Sequence, residues 1–183
     1  MFNSPSPKKI DVLFAFCYKG CLGVKALPPN THVNTVNYQA FTDTVYTAAM
    51  TKVPEMFQIK KPFFLHDNTP IHLGVESHLR ELGLSIIRHP SRSQCLSPFD
   101  YGLDYYIKQF LAQGPTKVPF ELIEQNIWNF CNHQSEAFFT QIFEDMRPRY
   151  QTVLHYPSHK ISEHCRHRFT IQPNIIPLSF VPD

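Results

Sequence analysis

The sequence predicts an α/β domain built on a mixed sheet, and three features of the chain point to that class. Residues 10–17 and 21–27 are rich in β-formers and flank a turn, which is typical of a β-hairpin. Residues 62–66 and 84–88 are short apolar runs, each followed by a helical pattern, as in strand–helix–strand units. Amphipathic helical patterns fill the following part of the chain. The predicted order is β-β-α-β-α-β-α-α-α.

Start and stop residues delimit the five predicted helices. They are Asn34 to Pro54, residues 71–82 before Gly83, Pro98 to about residue 111, Pro119 onward, and a helix from Ser135 that Pro148 ends or kinks. Apolar residues recur in these segments at intervals of three and four, so each helix is expected to bury one face.

The composition fits one folded intracellular domain. The chain has 183 residues, of which 43% are hydrophobic, and this excludes global disorder. Its net charge of +2 allows a nucleic-acid partner without requiring one. No apolar stretch is long enough to cross a bilayer, no signal peptide is evident, and the five scattered cysteines suit reduced thiols. We expect residues 1–9 to be disordered, 10–155 to form the domain, and 156–183 to be an irregular tail rich in proline and histidine.

Two aspartates stand where open α/β sheets bind ligands. Asp67 directly follows the strand at 62–66, and Asp100 opens the helix that comes after the strand at 84–88. Two facing carboxylates repel each other unless a cation lies between them, so a divalent metal site is one interpretation. The alternative is that Asp67 is a turn residue and Asp100 a first-turn residue favoured by the helix dipole.

The residues around both aspartates resemble the mariner/Tc transposase family. The string LHDNTPIH (65–72) looks like the family's H/Q-D-N-A-x-x-H motif, and HPSRSQCLSPFDY (89–101) is similar to its P-x-x-S-P-D-L-x-P-x-D/E motif. Trp128 and the segment 146–153 resemble the C-terminal helices, where an S-M-P-R-R-x-x-x-V stretch is usual. Together with likenesses upstream, the resemblance covers roughly residues 10–155.

The resemblance implies a ribonuclease H-like fold, and DNA cleavage and strand transfer by three carboxylates that bind Mg²⁺ or Mn²⁺. Asp67 matches the second carboxylate and Asp100 the third, so both are the expected catalytic residues and metal ligands. Asn68 and His72 match the flanking polar residues, which would support the ligands or contact DNA phosphate. The resemblance implies DNA as the partner and the nucleus as the location. A homodimer is a possible assembly.

The chain also departs from the family pattern. The family's first carboxylate and the first central strand that carries it have no match here, and the strands of the hairpin and of 62–66 and 84–88 would lack the partner that joins them. Thirty-two residues separate Asp67 from Asp100, against thirty-four in the mariner pattern. Two carboxylates hold metal more weakly than three, so we expect a truncated domain with weak or no catalysis.

The basic and histidine-rich end of the chain allows further interpretations. Five residues could suggest zinc, although they lack finger spacing: His155, His159, His164, Cys165 and His167. Arg147 and Arg149 begin a basic segment that could follow a DNA backbone or could simply be solvated. The alternatives to a transposase are therefore a non-catalytic DNA- or protein-binding module derived from one, or a chain without a function of its own.

Overall fold

The computed structural model describes residues 9–59, 61–90, 93–113 and 118–155. The tail at 156–183 lies outside these residues, and so does the predicted disordered N-terminus except for Lys9. Of the five residues considered for zinc, only His155 is described. The described chain consists of helices packed on two small sheets.

A β-hairpin opens the fold, as predicted. β1 (Val12–Cys17) pairs antiparallel with β2 (Gly20–Ala26), with Val12 opposite Ala26. Gly20 closes the turn with a φ of +117°, a conformation that side chains with a Cβ rarely adopt. The many β-forming residues of both strands and the glycine in the turn account for the hairpin.

The other two strands form a separate parallel pair. β3 (Phe63–His66) lies beside β4 (Ser85–Arg88), and His66 is opposite Arg88. Among the described residues, the hairpin does not pair with β3 or β4, so the mixed sheet is present as one antiparallel and one parallel pair. That the chain lacks the family's first central strand stays a prediction.

Nine helices occur in the described residues. They are α1 (Thr35–Lys52), α2 (Pro54–Ile59), α3 (Pro70–Leu73), α4 (Glu76–Glu81), α5 (Pro98–Gly102), α6 (Asp104–Ala112), α7 (Phe120–Asn132), α8 (Glu136–Glu144) and α9 (Met146–His155). A single 3-10 turn (Gln94–Leu96) precedes α5. None of the described helices has the length and apolar character that crossing a membrane would need.

Three of the predicted helix boundaries were wrong. The helix predicted at 71–82 is two helices, α3 and α4, and the helix predicted from Pro98 breaks at Leu103. Each break puts a fully buried side chain, Val75 or Leu103, into the core, so packing overrides a locally continuous pattern. Pro148 lies in the first turn of α9, where its missing N–H is no loss, and therefore does not end a helix.

β1 lies between two apolar cores. One, which we name the α7 core, joins buried residues of β2 and of the helices α6 to α8, including Ile127, Phe130, Phe139 and Ile142. The other, the α1 core, joins residues of α1, of α4 and the positions flanking it, and one residue from each hairpin strand: Leu13, Leu22, Tyr38, Phe41, Val45, Val75, Leu79 and Leu84. The parallel pair is attached through the α1 core, since Phe64 and Ile86 pack against it.

Glu55 ties the tip of the hairpin to α2. Its Oε1 accepts a hydrogen bond of 2.5 Å from the Tyr18 hydroxyl and lies 2.7 Å from the Lys19 ammonium. Lys19, and after it Tyr18, lower the pKa of Glu55 to about 2. Because the folded pKa lies below its ordinary value, the ionised carboxylate stabilises the fold above that ordinary value and loses the effect as the pH falls towards 2.

The variant Glu55→Gln should therefore be less stable than the parent protein near neutral pH. The difference in unfolding free energy should shrink as the pH is lowered from roughly 5 towards 2, because the parent protonates Glu55 over that range. Urea unfolding at a series of pH values measures it. Glu81→Gln, at an exposed position on α4, is the control, and an equal pH-dependent loss there would contradict the role of the Glu55 contacts.

Candidate functional site

The candidate site lies at the carboxyl end of the parallel strands. Asp67 directly follows β3, and the loop that leaves β4 leads through the 3-10 turn into α5, whose third residue is Asp100. Because β3 and β4 are parallel neighbours, both connections leave the same edge of the sheet. Asp67 and Asp100 therefore lie on connections that leave the same end of the parallel pair, which is where the sequence analysis placed them.

Asp67 is held by a local turn and by His72. Its Oδ1 accepts the backbone N–H of Thr69 at 3.0 Å and lies 2.5 Å from Nδ1 of His72. Burial opposes the ionisation of Asp67, but the Thr69 amide and His72 outweigh it and bring its pKa below the usual value. An ionised carboxylate only accepts hydrogen bonds, so Nδ1 of His72 carries the proton that the pair shares.

The rings of Tyr38 and His66 pack against the ring of His72. The His72 ring lies 4.2 Å from the ring of Tyr38 and stacks on His66 with 5.2 Å between centroids. The Tyr38 hydroxyl is 3.2 Å from Nδ1 of His66, and both side chains are buried. Burial, more than the neighbouring His72, lowers the pKa of His66 to about 4, so its ring is neutral near pH 7. Burial likewise raises the pKa of Tyr38, which keeps its hydroxyl protonated.

Asn68 and Asp100 are placed by backbone contacts. The side-chain amide of Asn68 donates to the backbone oxygen of His89, which links the end of β3 to the first residue after β4. Ser97 caps α5 by accepting the backbone N–H of Asp100 at 3.4 Å, and the Asp100 side chain is exposed. Asn68 thus aligns the two strand ends, a structural role that adds to the one expected from the resemblance.

The two predicted basic residues differ in environment. Arg147 is exposed in the first turn of α9. Arg149 is buried, donates from Nη1 to the backbone oxygen of Cys95 at 3.1 Å, and lies over the ring of Tyr101. The surface role expected for Arg149 does not agree with this placement, because the guanidinium faces the protein interior.

Two residues of this site were not predicted from the sequence. Tyr38 was expected only as an apolar helix residue among the upstream likenesses to the family, and Tyr101 only as the last residue of the matched string at 89–101. A signal for Tyr38 existed in the histidines on both sides of Asp67, since a buried imidazole at His66 needs a hydrogen-bond partner. Nothing in the local sequence identifies α1 as the source of that partner.

The same fold is found in proteins of known structure. No protein-family model matches the chain. Human histone-lysine N-methyltransferase SETMAR is 25% identical over 150 residues, which make up 81% of this chain, and the chain spans 22% of the length of SETMAR. The Mos1 transposase catalytic domain, solved with Raltegravir and Mg, matches with a TM-score of 0.71 at 21% identity over 82% of both chains. The chain has the fold of the mariner transposase catalytic domain.

A Mos1 complex with DNA matches as well. The Mos1 transposase paired-end complex with the left transposon end gives a TM-score of 0.70 at 22% identity, over 82% of this chain and 44% of that one. At the level of the fold, these likenesses confirm the predicted mariner-type catalytic domain and its ribonuclease H-like α/β class.

In this mariner-type fold, the described residues do not fit a complete site for two divalent ions. Asp67 and Asp100 carry the oxygen donors that Mg²⁺ and Mn²⁺ prefer. However, no group of three or more histidine, cysteine, aspartate or glutamate side chains within the described ranges is arranged to hold a metal ion. Oδ1 of Asp67 also already accepts two hydrogen bonds from the protein. Asp67 and Asp100 therefore remain candidate ligands of an incomplete set.

The Tyr38→Phe variant tests the ring stack beneath Asp67. Loss of the hydroxyl leaves Nδ1 of buried His66 without its partner, so the variant should lose about 1–3 kcal/mol of unfolding free energy. Urea unfolding measures it, with Tyr46→Phe on the same helix as the control, because the Tyr46 ring packs against Phe57 and is half-buried. An equal loss in both variants would show that the hydroxyl of Tyr38 has no special role.

Proposed function

We propose that this chain acts on DNA as a mariner-type transposase catalytic domain, with metal-dependent cleavage and strand transfer weak or absent in this form. The observation that carries the proposal is the placement of Asp67 and Asp100 within that fold. Asp67 follows β3, Asp100 lies in the first turn of α5, and both connections leave the carboxyl end of the parallel pair. Carboxylates at such an edge suit the binding of cations that stabilise phosphate chemistry.

The number of carboxylates is the reason to expect weak catalysis. In-line attack on a phosphodiester by two metal ions needs ligands that fix both ions at once. Within the described residues, Asp67 and Asp100 are not joined by a third metal-ligating side chain. We therefore propose that Mg²⁺ or Mn²⁺ binds weakly here, if the chain acts alone.

The proposed partner is DNA, and the nucleus is the corresponding location. The likeness to a Mos1 complex with a transposon end supports a DNA partner for this fold. A homodimer is part of the same proposal, and the likeness to the Mos1 paired-end complex is the observation that supports it. The exposed Arg147 is the described residue that we propose to contact phosphate.

A non-catalytic binding module is the second candidate function. The observation that favours it is the internal use of Asp67, whose Oδ1 is engaged by Thr69 and His72. In that case DNA binding would need no metal ion, and Arg147 would matter more than Asp67.

Nicking of supercoiled plasmid DNA tests the catalytic part of the proposal. With Mg²⁺ or Mn²⁺ present, the parent protein should nick little or no DNA, and Asp67→Asn and Asp100→Asn should behave like the parent. Gel separation of supercoiled and open-circular DNA measures the reaction.

Asp104→Asn is the matched control, because Asp104 lies on α6 and pairs with Lys108 at 2.6 Å. Metal-dependent nicking by the parent that Asp67→Asn and Asp100→Asn abolish, and that Asp104→Asn keeps, would contradict the proposed loss of activity. It would establish instead that two described carboxylates suffice.

DNA affinity tests the binding part. Arg147→Gln should weaken the binding of duplex DNA and reduce the salt slope of log K by about 0.9, the value for one lost phosphate contact. Fluorescence anisotropy between roughly 50 and 200 mM salt measures both quantities. Lys108→Gln is the control, since it removes one exposed charge from α6. Unchanged binding in Arg147→Gln would exclude Arg147 from the interface, and binding that is equally tight without metal would favour the non-catalytic module.

A further inference from the structure

Arg149 is a charged residue that the fold keeps almost entirely out of water. It lies in α9 with 5% of its surface exposed, whereas Arg147 on the same helix is exposed. Burial of a guanidinium costs free energy unless hydrogen bonds and electron-rich partners compensate for the lost hydration. The contacts of Arg149 therefore identify the structure that its charge stabilises.

The guanidinium holds two segments that flank Asp100. Nη1 donates to the backbone oxygen of Cys95 at 3.1 Å, in the 3-10 turn that precedes α5. The guanidinium carbon lies 3.9 Å from the centroid of the Tyr101 ring, which is cation–π geometry. Because Cys95 precedes Asp100 and Tyr101 follows it directly, one side chain of α9 contacts the chain on both sides of the aspartate.

Tyr101 and its neighbour also fix α5 against α8. The Tyr101 hydroxyl donates to the backbone oxygen of Ile142 at 2.6 Å. At Gly102, an added Cβ would lie 2.6 Å from Cγ2 of Ile142, so the two helices approach as closely as glycine allows. α5 therefore rests on α8 through these contacts and on α9 through Arg149.

We propose that Arg149 is a positioning residue for Asp100, acting through Cys95 and Tyr101. The purpose of that position, cation binding by Asp100, rests on the proposed function, whereas the positioning itself does not. The role requires arginine in particular: the planar guanidinium stacks on Tyr101 while its N–H groups reach the carbonyl of Cys95. A lysine ammonium keeps the charge but lacks the flat face and the fixed donors.

Amide hydrogen exchange of the full chain, followed by NMR, tests the positioning. In Arg149→Gln the amides of Asp100, Tyr101 and Leu103 should exchange roughly tenfold faster than in the parent, because α5 opens locally. The amides of the hairpin should keep their parent rates. Arg149→Lys should show most of the same acceleration, and Arg147→Gln, the matched loss of charge on the same helix, should show none.

Two results of this experiment would overturn the proposal. Unchanged exchange in α5 would show that Arg149 does not hold it, and equal acceleration in α5 and in the hairpin would show a global loss of stability without any local role. If Arg149→Gln does not fold, Arg149→Lys decides the matter by the same two criteria.

Line broadening by Mn²⁺ tests what the position serves. In the parent, Mn²⁺ should broaden the amide signals of Asp67 and Asp100. In Arg149→Lys, equal broadening of the Asp100 signal should need several-fold more Mn²⁺ than in the parent. Equal broadening of Asp100 in both proteins would overturn the claim that the position held by Arg149 serves cation binding. If Mn²⁺ broadens neither signal in the parent, the proposed cation site fails, and the exchange experiment still decides whether Arg149 positions α5.

Discussion

β1 packs against apolar residues on both of its faces, and the two halves of the fold meet on it. Leu13 is part of the α1 core, while Phe14 and Phe16 on the opposite face pack against the α7 core. Successive side chains of a strand point to opposite sides, so one continuous apolar run can join two cores. This explains why the segment lacks the polar alternation of a half-exposed strand. A polar substitution on either face of β1 would place a polar group against one of the two cores, at a cost in free energy.

Local signals predicted the elements well, and tertiary packing explains the failures. The hairpin, β3 and β4 lie within two residues of the predicted positions, and the caps at Asn34 and Ser135 are confirmed by their side-chain hydrogen bonds. The breaks at Val75 and Leu103 each follow a glycine, Gly74 or Gly102, which is a weaker local signal than a cap because an isolated glycine is tolerated inside a helix. Val75 and Leu103 are fully buried, so packing against neighbouring helices adds to the weak local signal at both breaks.

The candidate site shows the same division between local and distant causes. The pair of Asp67 and His72 lies within one short string, so the sequence could point to both residues. The bond between Tyr38 and His66 joins residues 28 positions apart, and its partner could not be chosen before the helix was placed. Arg149 was expected at the surface because arginine is rarely fully buried without partners. Its burial depends on the ring of Tyr101, which belongs to another helix.

Each candidate carboxylate is attached to a different core, and this decides what can change their separation. Asp67 connects through His72 to Tyr38, a member of the α1 core, whereas Asp100 connects through α5 to Ile142 in the α7 core. Contacts within either group hold one aspartate and do not set its distance from the other. That distance depends on how the cores are joined, which the two-faced packing of β1 and the loop held by Asn68 at His89 provide. The separation of the two carboxylates that a cation would meet therefore depends on the packing of the cores as much as on the residues beside each aspartate.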